Sequence, residues 1–273
     1  MNDTIDTMNE VNNKKFYRDY PIILGLSGKA VTGKTSVAEN IVPKAQLNKV
    51  LNNNIAWDHI FFALPLYELA SIRKNILGVR QQDRQLFGIH EIVYDIFGSN
   101  ALGSIPDYND FIKLVKDIYN LPIEPEGIKP RSFLQKAGDL CRFYDESCFS
   151  KWGILKANRI ARDYMKTEEF LDNDTPMCII ISDVRFKNEA EAILKQPNGL
   201  VICYEASDHI RQERMMKRDG FLMSDEQMNH RSEQEIDLIK SMASAIINTD
   251  NLSIKDQVNE TIKFVQSFTD VYA

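Results

Sequence analysis

The sequence has few cysteines and no close cysteine spacing, which argues against a disulfide scaffold or a zinc site. Its four cysteines are Cys141, Cys148, Cys178 and Cys203, and the last two lie inside apolar runs. Thiols in such runs are usually buried and behave as small apolar side chains. We therefore expect four free thiols and a reducing, cytoplasmic environment.

Long apolar runs and an excess of basic residues are also missing. No segment approaches the roughly 18 consecutive apolar residues of a membrane span, and the polar start, 1–19, lacks the apolar core of a signal peptide. The 33 basic and 39 acidic residues give a net charge of −6, which is unfavourable for a general nucleic-acid or membrane surface. The composition predicts a globular protein with no membrane partner and no stable nucleic-acid partner.

A glycine-rich segment carries the strongest signal that is present. Residues 28–35 have the sequence Gly-Lys-Ala-Val-Thr-Gly-Lys-Thr, after an apolar run at 22–26 and before a helix-compatible segment at 36–42. This strand–loop–helix order is that of the phosphate-binding loop, in which glycines let backbone N–H groups turn toward phosphate oxygens. The N-terminus of the next helix adds positive potential. The pattern predicts nucleoside triphosphate binding; the alternative is a glycine-rich turn with a surface lysine.

The residue types in this segment suggest individual roles in binding ATP. Lys34 is predicted to neutralise the β- and γ-phosphates, and the Thr35 hydroxyl to ligate Mg²⁺. The predicted ATP-binding residues of the segment are Gly28, Lys29, Ala30, Thr32, Gly33, Lys34, Thr35 and Ser36.

An unbroken apolar run at 177–181, followed by Ser182 and Asp183, predicts a buried strand of a parallel sheet. The carboxyl ends of such strands line the ligand crevice. Asp183 is therefore predicted beside the phosphate-binding loop, where its carboxylate orders Mg²⁺ directly or through water. The alternative is an N-cap for a helix over 184–192, and the two roles are compatible.

Arginines recur at helical spacing in two segments. Arg131 and Arg142 are eleven residues apart, which is about three turns and places them on one helix face. Arg211, Arg214 and Arg218 follow i, i+3, i+7 spacing and suit a lid that closes over transferring phosphates. The alternative in both cases is a solvated helix face, with Glu–Arg pairs inside the second helix.

The order of predicted elements is β-α-β, a helical insert, then β-α-β-α-β-α, which indicates an α/β fold with a doubly wound parallel sheet of about five strands. Residues 1–18 are predicted to form a flexible arm. Residues 19–273 are predicted to form one domain, with a helical insert at about 66–170 and an arginine-rich lid at about 208–235. Within the insert, Asp107 is a predicted N-cap.

Several motifs beyond the phosphate-binding loop together suggest a family. They are Phe62-Ala63-Leu64-Pro65-Leu66, Arg131…Leu134-Gln135…Gly138…Arg142, Ser182-Asp183-Val184-Arg185-Phe186-Lys187-Asn188-Glu189, the lid helix, Ser232-Glu233 with Asp237, and Ile247-Asn248-Thr249-Asp250. From Ile22 to the last helix, the chain resembles the nucleoside monophosphate kinase branch of P-loop proteins, and phage-type deoxynucleoside monophosphate kinases above all. Dephospho-coenzyme A kinase and animal phosphomevalonate kinase are more distant likenesses.

The resemblance implies Mg²⁺-dependent transfer of phosphate from ATP to a (deoxy)nucleoside monophosphate. It implies a donor-base position near Asn248. The residues it implies for catalysis are Lys34, Arg185, Arg214 and Arg218. The residues predicted on the acceptor side are Arg131, Arg142, Arg185 and Asp58, the last of which ends a short predicted strand.

Three other functions are compatible with the sequence. One is a kinase for another small phosphorylated or hydroxyl acceptor, as in dephospho-coenzyme A kinase, or for a polynucleotide end. Another is a nucleotide-dependent switch ATPase, and the third is a binding protein without turnover. The arginine-rich lid favours a self-contained kinase. The expected partners are small-molecule nucleotides in the cytoplasm (the host cytoplasm for a phage protein), and a homodimer is left open.

Overall fold

Two compact units make up the chain in the computed structural model. One comprises Met1–Phe61 with Ala157–Ala273, and the other comprises Phe62–Lys156. The structure describes residues 5–6, 15–42, 50–52, 55–74, 81–98, 107–168, 170, 175–222 and 231–270. No helix in these ranges is long and apolar enough to cross a membrane.

A seven-stranded sheet forms the centre of the first unit. Its strands are β1 (Ile5–Asp6), β2 (Ile22–Ser27), β3 (Val50–Asn52), β4 (Ile55–Ile60), β5 (Met177–Val184), β6 (Asn198–Glu205) and β7 (Ala245–Asn248). The spatial order is β1-β7-β6-β2-β5-β4-β3. The five inner strands, β7 to β4, are parallel to one another, and β1 and β3 pair antiparallel at the two edges. The predicted parallel sheet of about five strands is confirmed.

Helices connect the strands and form most of the second unit. In chain order they are α1 (Lys34–Ile41), α2 (Leu64–Lys74), α3 (Gln81–Gly98), α4 (Tyr108–Asn120), α5 (Arg131–Tyr144), α6 (Cys148–Tyr164), α7 (Lys187–Leu194), α8 (Asp208–Asp219), α9 (Arg231–Gln234), α10 (Ile236–Met242) and α11 (Ile254–Asp270).

Helices cover both faces of the sheet. Successive side chains of β2 point to opposite faces, so each face offers side chains against which a helix can pack. Ile22, Leu24 and Leu26 belong to one buried cluster with apolar residues of α1 and α11. On the opposite side Gly25 lies under α7, and a Cβ there would be 2.7 Å from the Ile193 side chain. The doubly wound arrangement follows from this alternation, as the sequence predicts.

The predicted flexible arm differs from the structure where its residues are described. β1 pairs with β7, and Phe16 is buried against the ring of Phe268, with 5.7 Å between the centroids. The buried Asn198 side chain accepts from the Tyr17 amide at 2.9 Å and donates to the Tyr17 carbonyl at 2.7 Å. These bonds satisfy backbone groups of Tyr17, in a segment that was predicted to be a flexible arm. Residues 1–4 and 7–14 of the predicted arm lie outside the described residues.

The second unit is helical and spans 62–156, whereas the sequence suggested an insert at about 66–170. Its α4 shows why these segments form helices that pack: the buried residues Phe111, Leu114, Val115 and Ile118 repeat at i, i+3, i+4, i+7. Asp107 accepts a hydrogen bond from the Asn109 amide at 2.7 Å and is the N-cap that the sequence predicts.

All four cysteines are buried and free, as predicted. Burial raises the pKa of the Cys141 and Cys203 thiols to about 12. Burial likewise raises the pKa of Cys148 and Cys178 well above the ordinary value. The thiols are therefore protonated and contribute to packing.

Candidate functional site

The glycine-rich segment forms a tight loop between β2 and α1 in the first unit. Gly28 and Gly33 have φ values of 139° and 103°, in the region that favours glycine. A Cβ on Gly28 would collide with the Tyr204 carbonyl, and one on Gly33 with the Gln257 side chain. Val31, at φ 60°, is also left-handed, which is costly for a β-branched residue and typical of functional loops. A larger residue at Gly28 would require backbone movement, and one at Gly33 would displace the Gln257 side chain; both would also be strained by the positive φ.

Helix α1 begins with Lys34, which is buried, and Thr35, which is exposed. The Lys34 side chain is 4% exposed, and its ammonium donates to the Lys29 carbonyl at 3.2 Å, so it lies against the loop. Thr35 and Ser36 are exposed at the first turn. Thr32 is buried and donates its hydroxyl to the same Lys29 carbonyl at 3.0 Å. A buried ammonium, an exposed hydroxyl and the positive end of α1 suit an anionic ligand.

The backbone of Ala30 is held by two charged side chains from distant parts of the chain. Its N–H donates to Oε2 of Glu233 at 3.1 Å, and its carbonyl accepts from Nε of Arg211 at 3.1 Å. The Ala30 side chain packs with Met215 of α8. The loop is thus fixed from both sides by α8 and α9.

Glu233 also pairs with the guanidinium of Arg185, which follows directly after β5. Burial alone would raise the pKa of Glu233, but the charges of Arg185 and Lys34 and the Ala30 amide hold this pKa below its ordinary value. Glu233 is therefore an ionised buried carboxylate whose desolvation is offset by specific partners. The arrangement brings Arg185, the predicted acceptor ligand, close to the phosphate-binding loop.

The backbone after β5 is fixed by two further carboxylates. Glu189 of α7 is buried and accepts from the amides of Arg185 at 2.9 Å and Phe186 at 3.1 Å. Glu235 accepts from the Lys187 amide at 2.8 Å. These bonds satisfy the free N–H groups at the start of α7. Only those of Glu189 reach the backbone of Arg185 itself and of the next residue.

Asp183 lies at an irregular point near the end of β5. Two steps along β2, from Gly25 to Ser27, are matched by three along β5, from Ile181 to Val184. An extra residue of this kind re-aims side chains next to active sites. Asp183 is half-buried, and β5 continues past it, so the N-cap position of α7 falls on Phe186. The alternative role of Asp183 as that N-cap is wrong, because the strand extends one residue further than expected.

Asp58 and His59 lie toward the carboxyl end of β4, beside β5. Asp58 is half-buried, and its carboxylate accepts from the His59 amide at 2.7 Å. The His59 ring is 2.7 Å from the buried Ser182 hydroxyl, which links the ends of the two strands. By register Asp58 is level with Ile179 of β5 and Ile23 of β2, whereas Asp183 adjoins Val184, which is level with Ser27 just before the phosphate-binding loop. The structure therefore places Asp183, but not Asp58, at the strand ends next to the loop.

The other predicted lid and donor-base residues have defined contacts in the first unit. The Arg214 guanidinium donates to the hydroxyl and carbonyl oxygens of Thr249 at 3.0 Å and 2.6 Å. Arg218 pairs with the adjacent Asp219 at 2.6 Å. Asn248 is exposed at the end of β7 and accepts from the Asp250 amide at 3.0 Å. Arg214 thus fixes the segment next to Asn248, while the arginine of α8 that contacts the phosphate-binding loop is Arg211.

Arg131 and Arg142 belong to the second unit, at the two ends of α5. The Arg142 guanidinium lies 4.8 Å from the Phe149 ring centroid, a cation–π contact. A Cβ on Gly138 would lie 2.7 Å from Nη1 of Arg142, so the glycine leaves the room that this guanidinium occupies. Arg131 is half-buried at the start of the helix.

The donor set fits a magnesium nucleotide. Mg²⁺ in phosphate-transfer sites takes a protein hydroxyl or carboxylate together with phosphate oxygens and water, and needs no cage of acidic residues. In the described part of the chain, no group of three or more His, Cys, Asp or Glu residues could hold a metal ion. Thr35 and Asp183 are the residues that would hold the ion in the presence of a nucleotide.

Two solved structures match this chain over most of its length. TT1252 from Thermus thermophilus is 14% identical with a TM-score of 0.41, covering 91% of this chain and 97% of its own. Dephospho-CoA kinase from Campylobacter jejuni is 14% identical with a TM-score of 0.33, covering 92% and 98%. No family model and no curated protein matches the sequence.

The sequence predicts neither of the contacts that hold Ala30. Glu233 belongs to a motif without an assigned role, and Arg211 is one of three predicted lid arginines. The spacing of Arg211 from Arg214 and Arg218 was visible, but which of them contacts the loop depends on how α8 packs through Met215. Glu233 lies 203 positions from Ala30, so local patterns carry no signal for their contact.

Proposed function

We propose that this protein is a kinase that transfers the γ-phosphoryl group of ATP to a (deoxy)nucleoside monophosphate with Mg²⁺. The observation that carries the proposal is the loop at 28–35 with buried Lys34, joined through Glu233 to Arg185 at the end of the neighbouring strand. The loop and Lys34 suit the phosphates of a nucleoside triphosphate, and the adjacent guanidinium of Arg185 suits the phosphate of an acceptor.

Phosphoryl transfer needs alignment and charge neutralisation more than covalent chemistry by the protein. Loop N–H groups and Lys34 would hold the β- and γ-phosphates, and bound Mg²⁺ would neutralise developing charge. Arg185 would bind the acceptor phosphate. The nucleophile is an anionic phosphate oxygen that is already deprotonated, so no general base is required.

The arginines of α8 would complete the donor site in different ways. Arg211 would hold the loop through the Ala30 carbonyl, and Arg214 would hold the segment next to Asn248. Arg218 is the most exposed of the three arginines, with 49% of its side chain accessible. Its guanidinium would bind the donor by leaving Asp219 and pairing with a phosphate group. An arginine supplied within the chain favours a self-contained kinase over a switch that needs a partner.

The test is ADP formation from ATP and Mg²⁺ with single acceptors: dAMP, dCMP, dGMP, dTMP, the ribonucleotides and dephospho-coenzyme A. Because Lys34 is buried, Lys34→Met keeps most of the apolar stem while it removes the charge. Lys263→Ala, at a lysine with 68% of its side chain exposed, is the control. Stimulation by a monophosphate, lost in Lys34→Met alone, supports the proposal. ATP binding without stimulation by any acceptor contradicts it and favours a switch.

A further inference from the structure

A single buried carboxyl group joins the phosphate-binding loop to Arg185. Oε2 of Glu233 accepts from the Ala30 amide at 3.1 Å, and Oε1 pairs with Nη1 of Arg185. The Glu233 side chain is 7% exposed, so both bonds are shielded from water. All three residues belong to the first unit.

We propose that Glu233 is a positioning residue: it fixes the Arg185 guanidinium relative to the phosphate-binding loop, so that the acceptor phosphate lies in line with the donor phosphate. This inference rests on the proposed kinase function, because it takes Arg185 as an acceptor ligand. Glu233 itself contacts neither substrate; it acts through Arg185 and Ala30.

The chemistry of the side chain explains why a carboxylate is needed. Arg185 and Ala30 both present N–H donors, and an ionised carboxylate has two acceptor oxygens to meet them. A glutamine has one acceptor oxygen and an NH₂ group, so it can keep one bond but must turn donors toward the other partner. An aspartate is one methylene shorter and cannot span the same two groups without movement of the backbone.

Fixing Arg185 in advance has a kinetic consequence. An unrestrained arginine side chain loses up to about 2 kcal/mol of rotamer entropy when it is immobilised. With Glu233 in place, part of this cost is met during folding, and the guanidinium is already oriented when the acceptor arrives. Loss of Glu233 should therefore affect the acceptor more strongly than ATP.

Glu235 offers a matched control in the same segment. Its carboxylate accepts from the Lys187 amide at 2.8 Å and pairs with Arg231. Glu235→Gln thus makes the same chemical change two residues away, at a carboxylate that also caps a backbone amide. A purely structural role of this segment would give both variants similar effects.

The experiment is a double-mutant cycle with Glu233→Gln, Arg185→Ala and the double variant, next to wild type and Glu235→Gln. For each protein we would measure kcat, the KM of the most active monophosphate, the Kd of ATP and the thermal midpoint. We expect Glu233→Gln to raise the acceptor KM about tenfold, as for a lost charged hydrogen bond, and to change the ATP Kd less than about threefold. In the Arg185→Ala background the same change should alter the acceptor KM less than about twofold.

Two results would overturn the inference. One is an acceptor KM in Glu233→Gln equal to that of wild type, and the other is an undiminished effect of Glu233→Gln in the Arg185→Ala background. A wild-type protein that no monophosphate stimulates contradicts the proposed function instead. The thermal midpoints then decide whether Glu233 holds Arg185: non-additive shifts support the contact and additive shifts refute it.

Discussion

The Nε atom of Arg211 lies 3.1 Å from the carbonyl oxygen of Ala30, which joins α8 to the phosphate-binding loop by a charged hydrogen bond. Met215, about one turn further along α8, packs against Ala30 and Val31. Asp208 holds the same guanidinium at 2.8 Å from the other side. The first half of α8 therefore supports the loop, in addition to any role as a lid.

Arg211→Ala should weaken ATP binding about tenfold, because a hydrogen bond from a charged donor is worth about 1.5–3 kcal/mol. Arg211→Lys should lose less, since an ammonium can still reach the carbonyl but lacks the second nitrogen that pairs with Asp208. The measurement is calorimetric titration with ATP and Mg²⁺.

Arg159→Ala removes an exposed arginine of the same unit and is the control for net charge. The role of Arg211 in supporting the loop would be refuted if Arg211→Ala bound ATP as tightly as Arg159→Ala.

If Arg142 binds the acceptor as the sequence predicts, Gly138→Ala should raise the acceptor KM about tenfold. A Cβ at Gly138 would lie 2.7 Å from Nη1 of Arg142, so the guanidinium must move. Alanine is the better helix former by about 1 kcal/mol, so the fold should not be weakened by propensity. Steady-state kinetics with the acceptor varied, together with the thermal midpoint, measure both effects.

Gly98→Ala makes the same change in the second unit, where the nearest atoms belong to the exposed ring of Tyr94 at 3.2 Å. Equal acceptor KM values for the two glycine variants would show that the position of the Arg142 guanidinium does not matter to acceptor binding.

The tight loop between β2 and α1 was predictable because its sequence signal is local. Its two glycines, Lys34 and Thr35 all lie within eight residues, and the flanking apolar run fixes the strand before them. The buried face of α4 was predictable for the same reason, since apolar residues that recur with a period of 3.6 are visible in a short stretch of sequence.

Contacts between distant segments were not predictable. Glu233 with Ala30, and Asn198 with Tyr17, join residues 203 and 181 positions apart. Nothing in the local sequence of either partner distinguishes these side chains from solvated ones. The edge strand β1 was missed similarly, because two residues give no periodicity and depend on β7 for their hydrogen bonds.

Thr35→Val should raise the Mg²⁺ concentration required for half-maximal ADP formation about tenfold, because it replaces the hydroxyl that is proposed to ligate the ion with a methyl group. Asp183→Asn should act in the same direction. Titration of activity with Mg²⁺ at constant ATP measures the effect, and Thr269→Val, in α11, is the control. If Mg²⁺ dependence is unchanged in both site variants, these residues do not hold the ion.

Buried thiols should make the protein less stable as the pH rises above about 8.5. The pKa of an exposed cysteine in the unfolded chain is about 8.5, whereas burial raises the pKa of Cys141 and Cys203 in the fold to about 12. Between these values the unfolded chain has lost protons that the folded chain keeps, so the free energy of unfolding falls with increasing pH. Each such thiol should cost about 1.4 kcal/mol between pH 7.5 and 9.5.

Denaturant unfolding at these two pH values, with a reductant present, tests the thiol effect on the whole chain and on Cys203→Ala. The alanine leaves a small cavity that lowers stability equally at both pH values, so the informative quantity is the difference between them. That difference should be smaller in Cys203→Ala than in wild type by about 1.4 kcal/mol. An identical pH dependence in the two proteins would mean that the Cys203 thiol titrates in the fold as it does in the unfolded chain, and that its burial is not maintained in solution.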